Sequence, residues 1–392
     1  PKAYPIEFLS LTEKDKIRIP LRATVSEFGP ILLSPILQLN DTQSSILSMI
    51  FIYCDNERLS LLDLKDLKEV ILHLNKNTPE GFESQYGNVS SQSTSVMMRK
   101  IIELEQQGAE TFFGEPSFEV EDLCRLNQDG FGFISMLQLS NLQDKPNLFS
   151  TFMLCLLAEI YATFEEIGDI EKPKLLLIID EAHLLFQYAS KALMDQLETI
   201  IKLIRSKGVG IYFCTQSPKD IPDSILGQLG LKIQHALRAF TAKDRKEIKL
   251  IAENFPESSF YDIQNLLTSM GVGEALVTSL NEKGIPTPLV HVLLKSPNSR
   301  MGSMTESEKM SSPSTLMKKY QTSLDRESAF EILQTKLAEK PSEPAHQAKA
   351  TTSKSKSTPV SLTETMAKQA GRMIVRELTR SLLGVLGIKR RR

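Results

Sequence analysis

Residues 174–183, KLLLIIDEAH, run a block of apolar side chains into two adjacent carboxylates, Asp180 and Glu181, followed two positions later by His183. Adjacent carboxylates at the point where burial stops suit hydrolysis of a nucleoside triphosphate. The first can hold Mg2+ through its water shell, and the second can orient and polarise the attacking water. The blander role is that either acid helps begin the next helix, where negative charge meets the positive end of the dipole. A second apolar run, VGIYFCTQSPKDIP, ends near Gln216. A neutral amide there can donate to a γ-phosphate or to the attacking water and so sense whether phosphate is present. It can equally close a strand end and do nothing more.

Such side chains converge only if the elements beneath them do. From residue 131 the sequence alternates strand FGFISMLQL, helix 146–166, strand LLLIID, helix 190–206 and strand VGIYFCT. Strands separated by helices of this length pair in parallel through right-handed crossovers, and open parallel sheets bind ligands at the carboxyl ends of their strands. Leu175, Leu176, Leu177, Ile178 and Ile179 read as a strand buried on both faces, which delivers Asp180 and Glu181 to that edge. The Gln216 strand is expected beside it. On helix 190–206 the residues Leu193, Leu197, Ile200, Ile201 and Ile204 share one face, which places Arg205 off the core. That helix is about 25 Å long at 1.5 Å per residue, so Arg205 is expected far from its own Asp180.

Upstream, KAYPIEFLSL and KIRIPLRATVS read as short strands. DTQSSILSMIFIY, LKDLKEVILHLN and VMMRKIIELEQQG read as helices around a polar, turn-forming stretch at 75–95. The fold class is α/β, with a core over residues 1–295 that carries a helical insertion at about 40–110. A C-terminal extension follows at 296–338. Residues 339–359 contain no large apolar side chain and read as a flexible linker. Beyond it, Met366, Ala370, Ile374, Leu378 and Leu382 recur every fourth residue, and Lys389–Arg392 are all cationic, so 360–392 reads as an amphipathic helix with a basic end.

Composition narrows the classes. At 392 residues, 41% apolar, 24% charged and with net charge -2, the chain has the profile of a globular protein without a global pull toward nucleic acid or membrane. The four cysteines, Cys54, Cys124, Cys155 and Cys214, stand singly and read as reduced core thiols of a cytoplasmic protein, with no zinc spacing. The most apolar stretch, 149–164, is short and broken by Glu159, so it reads as a buried helix and not a membrane span. Because the sequence starts at Pro1, it is expected to be a fragment.

The segments GDIEKPKLLLIIDEAHLLF, LIRSKGVGIYFCTQSPKDIPDSILGQLG, IQHALRAFTAKD, GVGEALVTSLNEKG and DRESAFEILQ together resemble the HerA-like ATPases, most closely the YjgR-type family of HerA helicase C-terminal proteins. DEAH-box helicases share only four letters, since their Ser-Ala-Thr strand end and second RecA-like domain are not found here. The resemblance implies a RecA-like parallel sheet in a ring-forming, hexameric motor that uses ATP and Mg2+ to move or remodel DNA or protein. Residue by residue, Asp180 and Glu181 match the Walker B pair, Gln216 the sensor glutamine and Arg205 the arginine finger. Arg238 in HALRAF is a weaker match for a phosphate contact, and a strand-end or helix-end salt bridge is its alternative. One departure is serious: G-x-x-x-x-G-K-[ST], the phosphate-binding loop, occurs nowhere in the chain. Two classes follow, a motor ATPase whose loop precedes Pro1, or a degenerate, non-hydrolysing scaffold.

Overall fold

In a computed structural model, residues 4–11, 18–76, 82, 85, 87–106, 108–137, 146–168, 170–187, 191–305, 307–308 and 314–338 are described; the linker and amphipathic C-terminal helix expected at 339–392 lie outside them. The chain divides into two compact units, one made of residues 1–177, 188–210 and 307–392, the other of 178–187 and 211–306.

In the first unit, β1 (Ile6–Ser10) pairs in parallel with β2 (Ile19–Pro20) on one side and with β3 (Ile134–Leu137) on the other. Between β2 and β3 the described residues include the helices α1 (Val25–Ile36), α2 (Asp41–Glu57), α3 (Leu64–Lys76) and α4 (Ser91–Gln106). Capping boxes fix two of their starts. Thr24 and Glu27 exchange side chain-to-backbone bonds at α1, and Asn40 and Gln43 do so at α2. Helix α1 is punctuated by Gly29, at φ 64°, with Pro30 behind it, so the chain kinks there. Edge-to-face rings of Phe28, Phe112, Phe113 and Phe152 fill the core beneath.

Helix α5 (Pro146–Thr163) buries Phe149, Phe152, Leu154, Leu157 and Ile160, as expected of the apolar stretch. Among the described residues no helix is long and apolar enough to cross a membrane. The expected ladder through residues 131–215 is only partly formed. Strand β3 gives its edge to β1, while β4 (Leu175–Ile179) pairs with β5 (Val209–Phe213), because strands adjacent in sequence need not share a hydrogen-bonded edge. The amide of Leu175 donates to Gly208 and that of Cys214 to Ile179, so the two strands run parallel.

The β4 strand also corrects the reading of two buried faces. Leu176 is 46% and Ile178 67% exposed, alternating with better-covered neighbours. An unbroken apolar run marks both faces as coverable, and here only one is covered. Cys54 and Cys155 are core thiols as expected, but Cys214 is exposed on the same alternation. Between the strands, the helix read at 190–206 is α6 (Lys191–Leu203) followed by a 3-10 turn, Ile204–Lys207.

In the second unit, β6 (Leu231–His235), β7 (Glu274–Ser279) and β8 (Val290–Leu293) form an antiparallel sheet. Ile248 and Ile251 of α7 (Ala242–Glu253) and Leu267 of α8 (Ile263–Ser269) pack on Leu276 and Leu289. The antiparallel direction is outside the parallel plan read from the sequence. In the first unit α9 (Thr315–Tyr320) and α10 (Ala329–Ala338) return to the N-terminal elements.

Candidate functional site

The site is built where β4 and β5 end. Ile179 is buried, and its carbonyl accepts from Cys214; the ladder then continues as Ala182 donates to the Cys214 carbonyl at 2.9 Å. Those bonds fix the two strand ends side by side, as the sequence predicted. Asp180 emerges exposed, and its Oδ1 accepts the Glu181 backbone amide at 2.9 Å.

Glu181 adopts φ 48°, one of three non-glycine residues with positive φ among the described residues. The left-handed region disfavours a side chain with a Cβ by about 1–2 kcal/mol, and such residues gather where geometry serves function. The turn aims the carboxylate across to the neighbouring strand end, where Gln216 Nε2 donates to Oε1 at 3.3 Å. The other oxygen, Oε2, is buried, and Nδ1 of His183 stands 3.2 Å from it.

Gln216 is held from below. Asp220 accepts from the Thr215 hydroxyl at 2.5 Å and from the Ser217 amide at 3.3 Å, closing the 3-10 turn Pro218–Asp220. Neither Asp220 nor the approach of His183 was read from the sequence. The Ser-x-x-Asp spacing of a capping box was the available signal for the first.

The remaining candidates are carried by other elements. Arg205 is exposed on the turn Ile204–Lys207, and Leu197, Ile200 and Ile204 are buried on the inward face of that segment. Gly208, at φ 73°, ends the turn and lets β5 begin. Arg238 donates to the carbonyls of Leu237, Thr268 and Met270, which makes it a cap for the C-terminal end of α8. Its guanidinium satisfies orphan helix carbonyls there.

Among the described residues no three His, Cys, Asp or Glu side chains group into a metal cage. Mg2+ does not require one, since it binds through one or two carboxylates together with substrate phosphates and water, and an exposed Asp180 fits that donor set. The phosphate side does not fit. The 392 residues contain no glycine-rich loop with its lysine, so the backbone N–H cradle of a triphosphate is missing from them.

A family model described as helicase HerA-like C-terminal matches residues 1–391. The chain belongs to this family. A relative in Methanocaldococcus jannaschii, described as "Probable helicase MJECL08", is 32% identical over 165 residues, which cover 40% of this HerA-like chain and 29% of the relative. The chain therefore matches less than a third of that relative's length. Two solved structures are similar at low identity. VirB4 of Thermoanaerobacter pseudethanolicus aligns at TM-score 0.48 and 15% identity, covering 74% of this chain and 76% of that one. Plasmid coupling protein TrwB with a non-hydrolysable GTP analogue aligns at 0.47 and 12%, covering 74% of each.

Proposed function

We propose that this HerA-like chain carries the water-activating half of a motor ATPase. The observation that carries the reading is the grip on Glu181. A carboxylate at the end of one strand is presented, through a left-handed backbone, to an amide at the end of the next. Oε1 then accepts the proton of an incoming water while Gln216 keeps that oxygen in place, a general-base arrangement. Asp180 is the metal-side carboxylate of the pair, and bound Mg2+ would supply charge stabilisation at the transferring phosphate. Arg205 is proposed as an arginine finger acting in trans in a ring of identical subunits. DNA is the proposed polymer. Arg238 is assigned a phosphate role only if it leaves the α8 carbonyls that it now caps.

The competing reading is a non-hydrolysing scaffold, favoured by the missing phosphate loop. One experiment separates them. ATP binding and hydrolysis are measured for the 392-residue chain, for the full-length protein and for full-length Glu181→Gln and Gln216→Ala. The 392-residue chain is expected to hydrolyse negligibly. Glu181→Gln should keep binding and lose hydrolysis by about a hundredfold or more, with a smaller loss for Gln216→Ala. Unchanged turnover in Glu181→Gln, or no nucleotide binding by the full-length protein, leaves the scaffold standing.

A further inference from the structure

The Glu181 carboxylate has one oxygen whose needs the water-activating reading does not meet. Oε1 is shared between Gln216 and the crevice. Oε2 is buried and accepts no hydrogen bond among the described residues, and Nδ1 of His183 stands 3.2 Å from it. Buried carboxylate oxygens are held by donors, and a buried one left unheld rotates or draws water in. The ring is already at donor distance, so a small change of its angle converts the approach into a donated bond.

The backbone makes the pairing specific. Ala182 is pinned by its amide to the Cys214 carbonyl, and the Gln187 amide donates to the His183 carbonyl in the short helical turn that follows. The two residues that follow Glu181 are therefore fixed by main-chain bonds. The carboxylate lies between two donors from different segments, Gln216 on the β5 side and His183 on its own.

We infer that His183 is the positioning residue for Glu181: its Nδ1–H holds Oε2, which leaves Oε1 as the oxygen that faces the attacking water. His183 touches neither water nor phosphate in this assignment. It sets the rotation of the carboxylate about its terminal bond, and a base misplaced by an ångström loses on the order of a hundredfold in rate. The assignment rests on the role of Glu181 proposed above.

Two measurements test it, one of them independent of hydrolysis. In the 392-residue chain labelled with 15N-histidine, the neutral ring of His183 should carry its proton on Nδ1, the tautomer a partner at that nitrogen selects. The ring should shift toward the Nε2–H form in Glu181→Ala. An Nε2–H ring in the unaltered chain overturns the inference whether or not the protein is an ATPase. In the full-length protein, His183→Ala should lower kcat by about tenfold to a hundredfold with KM little changed. His183→Asn, whose amide nitrogen occupies the place of Nδ1, should recover most of that loss. Equal defects in the Ala and Asn variants, or a change confined to KM, overturn it. If Glu181→Gln hydrolyses ATP as fast as the unaltered protein while the tautomer is as expected, the water-activating reading falls and the positioning role goes with it. If Glu181→Gln is dead and His183→Ala is fully active, only the positioning role is lost.

Discussion

Glu159 on α5 is half-buried, and burial, reinforced by the charges of Glu27, Glu121 and Glu119, pushes its pKa up to about 8. The folded state therefore holds a proton that the unfolded chain releases near the ordinary value of about 4.3. Between those two values the folded form binds more protons, so stability falls as pH rises from about 4.5 to about 8 and the whole penalty is present above that. Replacing the acid with Glu159→Gln removes the titration. Denaturant midpoints at about pH 5 should be similar for the two proteins. At about pH 9 the variant should be the more stable by roughly 2–4 kcal/mol, allowing for relaxation around the site. A wild-type stability that stays flat, or rises, across this range would falsify the account. The apolar stretch around Glu159 was legible as a buried helix, but its proton was not, because burial of a single acid depends on partners from distant segments.

At the scale of elements, periodicity read well where one face decided the packing. Leu197, Ile200 and Ile204 were legible as the buried stripe of the α6 segment, and the pairing of β4 with β5 followed from their apolar runs. Helix α1 was missed because Gly29, Pro30 and Pro35 are breakers, even though Thr24 and Glu27 already spelled its capping box. Strand β4 was over-read, since apolar composition says what can be covered and not what is. In the site, Asp180, Glu181 and Gln216 were legible as types at strand ends. The αL turn at Glu181, the His183 approach and the Asp220 clamp were not, because each is a matter of backbone angle or loop closure. The α6 segment also sets the test of Arg205, which the 3-10 turn Ile204–Lys207 carries exposed. Mixing full-length Arg205→Ala with full-length Glu181→Gln should restore hydrolysis where an intact Glu181 meets an intact Arg205 from the next subunit. The gain should be large, since such fingers contribute about a thousandfold or more. Mixed rings that form and stay inactive at every ratio would place Arg205 in its own subunit or outside catalysis.

At the scale of the whole molecule, the first unit is not finished until residues 314–338 come back to its N-terminal part. Arg22, itself buried, donates to the Tyr320 carbonyl across 298 residues of sequence. Tyr320 is fully buried, and its hydroxyl donates to Asp122 at 2.5 Å and accepts from the Glu119 amide. Lys319 bridges Glu119 and Asp122 at 2.7 and 2.8 Å. Farther along, Asp66, 1% exposed, takes the Ser328 hydroxyl and the Phe330 amide, while burial raises its pKa. Removing this segment strips donors from a buried carboxylate and an acceptor from a buried guanidinium. Each such loss costs about 1–3 kcal/mol, and more where the group is charged. The contacts are also distant in sequence, so forming them carries a loop-closure cost that they must offset. A chain ending at residue 338 should keep the cooperative unfolding of the 392-residue protein, because every one of these bonds is retained. A chain ending at residue 313 should lose at least about 4 kcal/mol and expose Phe118, which stacks on the Tyr320 ring. Urea titrations of the two truncations decide the matter. Coincident curves would mean that residues 314–338 merely rest on the unit, whereas a collapse of both would place an essential contact beyond residue 338.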